Sequence, residues 1–217
     1  MSRHLAWDDP TLPDEAALLD EGFMRGAPPR QVPERVMLIA CGALAADAQA
    51  CIAAQGWWHV DLEALPARLH IHPERIPQAI RARARVAIAR GYGRVAALFG
   101  DCGSAGAIEA MCRNEGIAIA LLPHCGAMYD RRLAESVPGE DGIFYLTDFM
   151  LRHFEAMIWK PMRLDQNHEV IEILFAPYDR LVHLAQHDDP ALDAAAVQVA
   201  VRLNMPIERR PAPPHRL

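Results

Sequence analysis

The sequence predicts an α/β protein with a mostly parallel sheet and helices on both faces. Two observations carry this. Short apolar runs such as Val36–Ala40 and Val95–Phe99 alternate with longer stretches of helical character, the rhythm of βαβ units. Three apolar runs are also followed by a Cys-Gly pair, at Cys41-Gly42, Cys102-Gly103 and Cys125-Gly126. In a parallel sheet the carboxyl ends of the strands share one edge, so residues distant in sequence gather there.

Val36–Ala40 reads as a buried strand, followed by Cys41-Gly42 and an Ala-rich helix to about Gln55 that Gly56 stops. Trp57–Leu62 alternates roughly and reads as the next strand. Pro73 and Glu74 suit the first turn of a long helix that turns Ile76, Ile80, Ala84, Ala87 and Ile88 inward and ends at Gly91. Val95–Phe99 is again a strand, and its helix runs to Asn114. Ile117–Leu122 is a strand that leads into Pro123-His124-Cys125-Gly126. Ile143–Leu146 reads as a strand, after which Thr147 or Asp148 caps a helix through Trp159. Leu181–Ala185 is a further strand, and Asp188-Asp189-Pro190 opens a helix to about Asn204. Residues 1–34 form an N-terminal extension in which Glu15–Met24 suits a short helix and Pro28, Pro29 and Pro33 an extended approach to the fold. Residues 35–209 read as one α/β domain and residues 210–217 as a flexible tail. The matched pattern of strand, Cys-Gly, helix, second Cys and Gly in Ile39–Gly56 and Gly100–Gly116 is compatible with two similar βα halves.

The chain of 217 residues is 52% hydrophobic and 23% charged, which suits a packed domain and excludes wholesale disorder. Its net charge of −6 argues against general nucleic-acid binding, because no surplus exists to neutralise phosphates. Arg81, Arg83, Arg85 and Arg90 read as the solvated stripe of a helix. The chain lacks an apolar run long enough to span a membrane, and acids precede any apolar stretch at the N-terminus, unlike a secretory signal. An odd count of five cysteines fits the reducing cytoplasm, where cysteines serve packing, metals or catalysis.

Convergence of Cys41, Cys102 and Cys125 is best explained by a metal. Three thiolates hold zinc with an open fourth position, or an iron–sulfur cluster with one free iron. Gly42, Gly103 and Gly126 would let a bound group approach the backbone closely. His70, His72 and His124 lie near enough in sequence to complete the site, and Asp101 suits a supporting carboxylate, a general base or a helix cap. We expect Leu65–Pro73 to cover the pocket, with His70 inward and His72 outward. His153, His168 and His183 have weaker claims, and Gln186, just past a strand, is a candidate polar contact for a small-molecule substrate. Cys51 and Cys112, inside Ala-rich helices, read as packing residues. There is no phosphate-binding GxxxxGK[ST] loop and no GxSxG elbow, and Gly91-Tyr92-Gly93 precedes a strand, unlike a dinucleotide fingerprint.

Several segments together resemble the uncharacterised family catalogued as domain of unknown function 1638. They are Ala40–Leu44, Leu65–His70 with Pro73-Glu74, Gly100–Gly103, His124-Cys125, Leu146–Phe149, Arg152–Phe154, Tyr178, Leu184–Gln186 and Asp188–Pro190. The resemblance covers residues 36 to 208. It departs from the family's pattern at Ser104-Ala105-Gly106 and at Gly126-Ala127. It implies an association with corrinoid-dependent methyl transfer and one-carbon metabolism, and hence a corrinoid protein or methyltransferase as partner. Three functions stay open. One is a metal-dependent enzyme or component of methyl transfer. Another is an accessory protein that binds a corrinoid, a metal or a methyltransferase. The third is a metal-free enzyme with Cys102 or Cys125 as nucleophile and His124 as base.

Overall fold

The computed structural model describes residues 15–25, 35–120, 122–130, 142–166 and 168–212. Contacts divide the chain into two compact units, 1–125 (with Leu217) and 126–216, where the sequence reads as one domain over 35–209. The parallel strands are shared between two sheets, one in each unit.

In the first unit the strands are β1 (Phe23–Arg25), β2 (Val36–Cys41), β3 (Val60–Leu65), β4 (Arg94–Leu98) and β5 (Ala118–Ile119). Their order is β1-β3-β2-β4-β5, with β1 antiparallel to β3 and the other neighbours parallel. Helix α1 (Glu15–Asp20) precedes β1, α2 (Ala45–Ala54) joins β2 to β3, α3 (Ile76–Ala89) joins β3 to β4, and α4 (Ala107–Glu115) joins β4 to β5. From β2 the chain steps outward to β3 and then crosses back over β2 to β4. With right-handed crossovers, α2 and α3 therefore cover opposite faces. Ala40 and Leu62 pack with Ala48 and Ile52 of α2, and Leu38 and Leu98 add to that cluster. The alternate residues Met37 and Ile39 are fully buried as well. A strand covered on both sides needs an unbroken apolar run, which is what Val36–Ala40 supplies.

The reversal of strand order between β2 and β4 is a topological switch point, where the crevice of an open α/β sheet forms. Cys41 ends β2, and Cys102 follows β4. The two loops therefore flank that crevice.

β3 begins three residues later than the alternation of Trp57–Leu62 suggests. Trp57 and Trp58 are exposed in the turn before it. Asp61 and Glu63 lie within the strand and are buried, which the alternation does not allow for. Partners make this possible: Arg35 Nε donates to Asp61 Oδ2 at 2.8 Å, the Tyr92 hydroxyl donates to the same oxygen at 2.8 Å, and Arg83 pairs with Glu63 at 3.1 Å. On α3, Ile76, Ile80, Ala84 and Ala87 face inward, but Ile88 is exposed, because the helix ends one residue beyond it.

The second unit holds β6 (Ile143–Thr147), β7 (Arg180–Ala185) and β8 (Ile207–Pro211), parallel and in that order. Helix α5 (Asp148–Arg152) follows β6, α6 (His168–Phe175) precedes β7, and α7 (Pro190–Arg202) links β7 to β8. The helix expected through Trp159 stops at His153 and resumes as a π-helical turn over Glu155–Trp159. The Thr147 hydroxyl accepts the Met150 N–H, and the Asp189 carboxylate accepts the Ala191 N–H, so both caps form. The flexible tail expected from residue 210 is corrected in part: Arg210 and Pro211 belong to β8, and the Ala212 N–H bonds the Ala185 carbonyl. Pairing with β7 fixes this stretch, and its polar sequence hides that. The Pro28–Pro33 approach and the last five residues of the tail lie outside the described residues. Among the described residues no helix is long and apolar enough to cross a membrane.

Candidate functional site

The β4–β5 pairing continues past the strands as a zipper. Gly100 bridges Leu122 in parallel, the Asp101 N–H bonds the Leu122 carbonyl at 2.7 Å, and the Cys102 N–H bonds the Pro123 carbonyl at 3.2 Å. This register carries Cys102 alongside the His124-Cys125 peptide. A Cβ on Gly100 would lie 2.5 Å from the Cys125 nitrogen, so only glycine lets the two exits cross so closely. The Cys102 and Cys125 sulfurs are 3.4 Å apart and form a thiol–thiol hydrogen bond. Cys125 also hydrogen-bonds Cys41 and receives the Gly100 N–H. Cys102 hydrogen-bonds His70. Cys41, Cys125, Cys102 and His70 thus form a continuous string across the carboxyl edge of the first sheet, and the cysteines are free thiols.

His70 reaches the string from a 3-10 turn, Ala67–Ile71, placed between Pro66 and Pro73. His72 is exposed and lies 3.6 Å from Glu74. The Pro73 ring stands 3.7 Å from where a Gly103 Cβ would be, so the β3–α3 connection lies beside the Cys102 loop.

That loop is unusual in its backbone. Cys102 (φ 47) and Ala105 (φ 54) are left-handed without being glycine, and Gly103 and Gly106 are left-handed too. Asp101 holds this shape: its carboxylate accepts the Ser104 hydroxyl at 2.6 Å, the Gly106 N–H at 2.8 Å and the Ala105 N–H at 3.1 Å. The Ser104 hydroxyl and these N–H groups outweigh burial and hold Asp101 below the usual carboxylate range. Asp101 is therefore the brace of the Cys102 loop.

The hydrogen bond to Cys125 pushes the Cys102 thiol well up, burial and the neighbouring Cys125 charge add to this, and His70 opposes it. For Cys125, the bond from Cys102 pulls down, but the bond to Cys41, burial and the Cys41 charge prevail, and the thiol is also pushed well up. Thiols kept protonated in this way are poor nucleophiles by themselves. Burial lowers His124, which keeps its ring neutral. Among the described residues, no group of three or more Cys, His, Asp or Glu is already arranged around one metal position, which fits a string better than a ring.

The other sequence-predicted residues have distinct surroundings. Gly42 starts a 3-10 turn, where a Cβ would meet the Leu18 carbonyl oxygen and lie 2.9 Å from the Leu65 carbonyl, so its glycine serves close chain packing. Gly126 is buried in the turn Cys125–Met128 and its carbonyl accepts the Tyr129 N–H. Cys112 is fully buried and Cys51 half-buried, and burial raises both thiols.

Gln186 belongs to the second unit, where its side chain accepts the Asp148 N–H at 2.7 Å and donates to the Leu184 carbonyl. It is part of a polar cluster that sequence reasoning missed. Asp148, 1% exposed, accepts His183 Nε2 at 2.9 Å on one oxygen and the His187 N–H and ring Nδ1 on the other. The available signal was position: Asp148 and Gln186-His187 each directly follow a strand, at a carboxyl end like the cysteines.

Neither a search of curated proteins nor one of solved structures returns a match. A family model described as a protein of unknown function (DUF1638) matches residues 64–217, which includes Cys102, Cys125, His70 and the Asp148 cluster. The chain belongs to that family.

Proposed function

We propose that the carboxyl edge of the first unit is a cysteine-thiolate metal site, and that the protein is an enzyme or component of one-carbon methyl transfer linked to corrinoids. The observation that carries the metal is the 3.4 Å approach of the Cys102 and Cys125 sulfurs, with Cys41 and His70 hydrogen-bonded at either end. Three sulfurs and one imidazole are the donor set of a borderline cation. Two thiolates on one tetrahedral zinc lie about 3.8 Å apart, close to this separation. A [4Fe–4S] cluster places its thiolates on separate irons and asks for wider spacing, so zinc is the better fit of these two.

Cys41, Cys102, Cys125 and His70 would hold the ion. Bound zinc would supply a stabilised thiolate, or a Lewis acid, at neutral pH. The Gly100 N–H would then donate to the Cys125 thiolate, and Asp101 would fix the loop that presents Cys102. The elevated thiols count against the metal-free nucleophile. The methyl-transfer assignment rests on the family resemblance, and an accessory role without turnover uses the same site.

Anaerobic purification with metal and sulfide quantification tests the site. One zinc per chain without sulfide is expected, and cobalt substituted for it should give thiolate charge-transfer absorption. Cys102→Ser and Cys125→Ser should each lose the metal and stay folded, whereas Cys112→Ser should keep it. Unchanged metal content in the first two variants would remove the proposal.

A further inference from the structure

We propose that Cys102 and Cys125 are a redox-active dithiol that low-molecular-weight disulfides, such as oxidised glutathione, close to a disulfide. Its regulatory consequence, metal release, rests on the metal reading above, but the thiol chemistry does not.

The pair is nearly assembled. A disulfide needs the sulfurs roughly 1.4 Å nearer than their present 3.4 Å. Cys102 sits in a loop rather than a strand, at a left-handed φ of 47, with left-handed Gly103 beside it. Rotation there requires no break in the sheet. Cys125 is held from behind by Gly100 and presents its sulfur to Cys102. Both residues keep part of their surface exposed, unlike Cys41 and Cys112. Cys41 is the less available partner, because it closes β2 and is buried, and Cys112 is buried within α4.

The exchange proceeds in two displacements. Only a small fraction of Cys102 gives up its proton, to solvent, so the exchange is slow, and that thiolate attacks one sulfur of oxidised glutathione. The glutathione S–S bond breaks, one glutathione thiolate leaves and takes a proton, and a mixed disulfide remains on Cys102. Cys125, as thiolate, attacks the Cys102 sulfur and expels the second glutathione, which takes the second proton. The protein pair loses two electrons and two protons, and one glutathione disulfide becomes two thiols. Two sulfurs joined in this way are no longer available as metal ligands.

The test uses the full chain, metal-free and zinc-loaded, treated with oxidised glutathione, quenched with iodoacetamide and mapped by non-reducing proteolysis. One cross-linked Cys102–Cys125 peptide pair is expected, with no retained glutathione, full reversal by dithiothreitol and one zinc released per disulfide. Cys125→Ser should instead trap glutathione on Cys102. Glutathione retained on wild-type Cys102, or a disulfide from either cysteine to Cys41, would overturn the dithiol. A chain that binds no zinc but forms the disulfide overturns only the metal reading, and a chain that binds zinc but forms none overturns only this one.

Discussion

Gly100 donates its backbone N–H to the sulfur of Cys125, and its missing Cβ leaves room for the nitrogen of the same residue. The contact explains how two strand exits can cross closely enough for their cysteines to meet. It also makes Gly100 a structural determinant of the site although it carries no chemistry.

Gly100→Ala should therefore be costly, because the obstacle is backbone and cannot swing aside. A loss of at least about 2 kcal/mol is expected from urea unfolding. Gly103→Ala meets only the Pro73 ring at ordinary contact distance, but its φ of 87 penalises a side chain, at about 1 kcal/mol. Equal losses at the two positions would contradict the crossing geometry.

His70 and His72 should separate cleanly. The hydrogen bond from His70 opposes the rise of the Cys102 thiol, so His70→Ala should push that thiol higher still. Alkylation of Cys102 by iodoacetamide near pH 8 should then slow several-fold. His72 is exposed and faces Glu74, so His72→Ala should leave the rate unchanged. Peptide mapping of time-quenched samples reads both rates. A matching rate for His70→Ala and the wild type would detach this turn from the site.

Tyr92 tests the buried acids of β3. Burial, followed by its hydrogen bond to Asp61, pushes its phenol up to about 12 from 10.0. A raised folded value means that the stability it adds is intact below pH 10 and drains away as pH rises towards 12. Tyr92→Phe should cost about 2 kcal/mol at pH 7, since Asp61 loses a buried donor. It should also lose less stability than the wild type above pH 10. Urea midpoints from pH 7 to 11 decide this, and superimposable alkaline limbs would refute it.

The parts of the fold that were legible in the sequence are those where local pattern and tertiary environment agree. Val36–Ala40 is apolar because α2 and α3 cover both its faces, and the Asp189-Pro190 start of α7 is set by capping chemistry. β3 was displaced because Asp61 and Glu63 are buried against Arg35, Tyr92 and Arg83, partners remote in sequence. β8 was hidden because Glu208, Arg209 and Arg210 lie in a strand whose identity comes from pairing with β7. In the candidate site, the strand-end position of the cysteines could be read directly. Asp101 as a loop brace, and the tie of Asp148 to His183 and His187, could not, because each depends on a turn or pairing across the fold.

Asp148 gives the sharpest pH prediction for the second unit. Burial alone would raise its carboxyl, but the hydrogen bonds from His183 and His187 prevail and hold it at about 2. A depressed folded value contributes stability that is complete above the unfolded value near 3.8 and is lost as pH falls through 2. Holding the carboxyl at about 2 instead of 3.8 is worth about 2 kcal/mol, with little solvent screening at 1% exposure. Asp148→Asn keeps the shape but turns an amide N–H₂ toward a ring that needs an acceptor. It should cost about 3 kcal/mol at pH 7, because a buried histidine loses its carboxylate. Urea midpoints by circular dichroism between pH 5 and 2 should fall more steeply for the wild type than for the variant. Parallel acid limbs would show that Asp148 is not ionised in the fold.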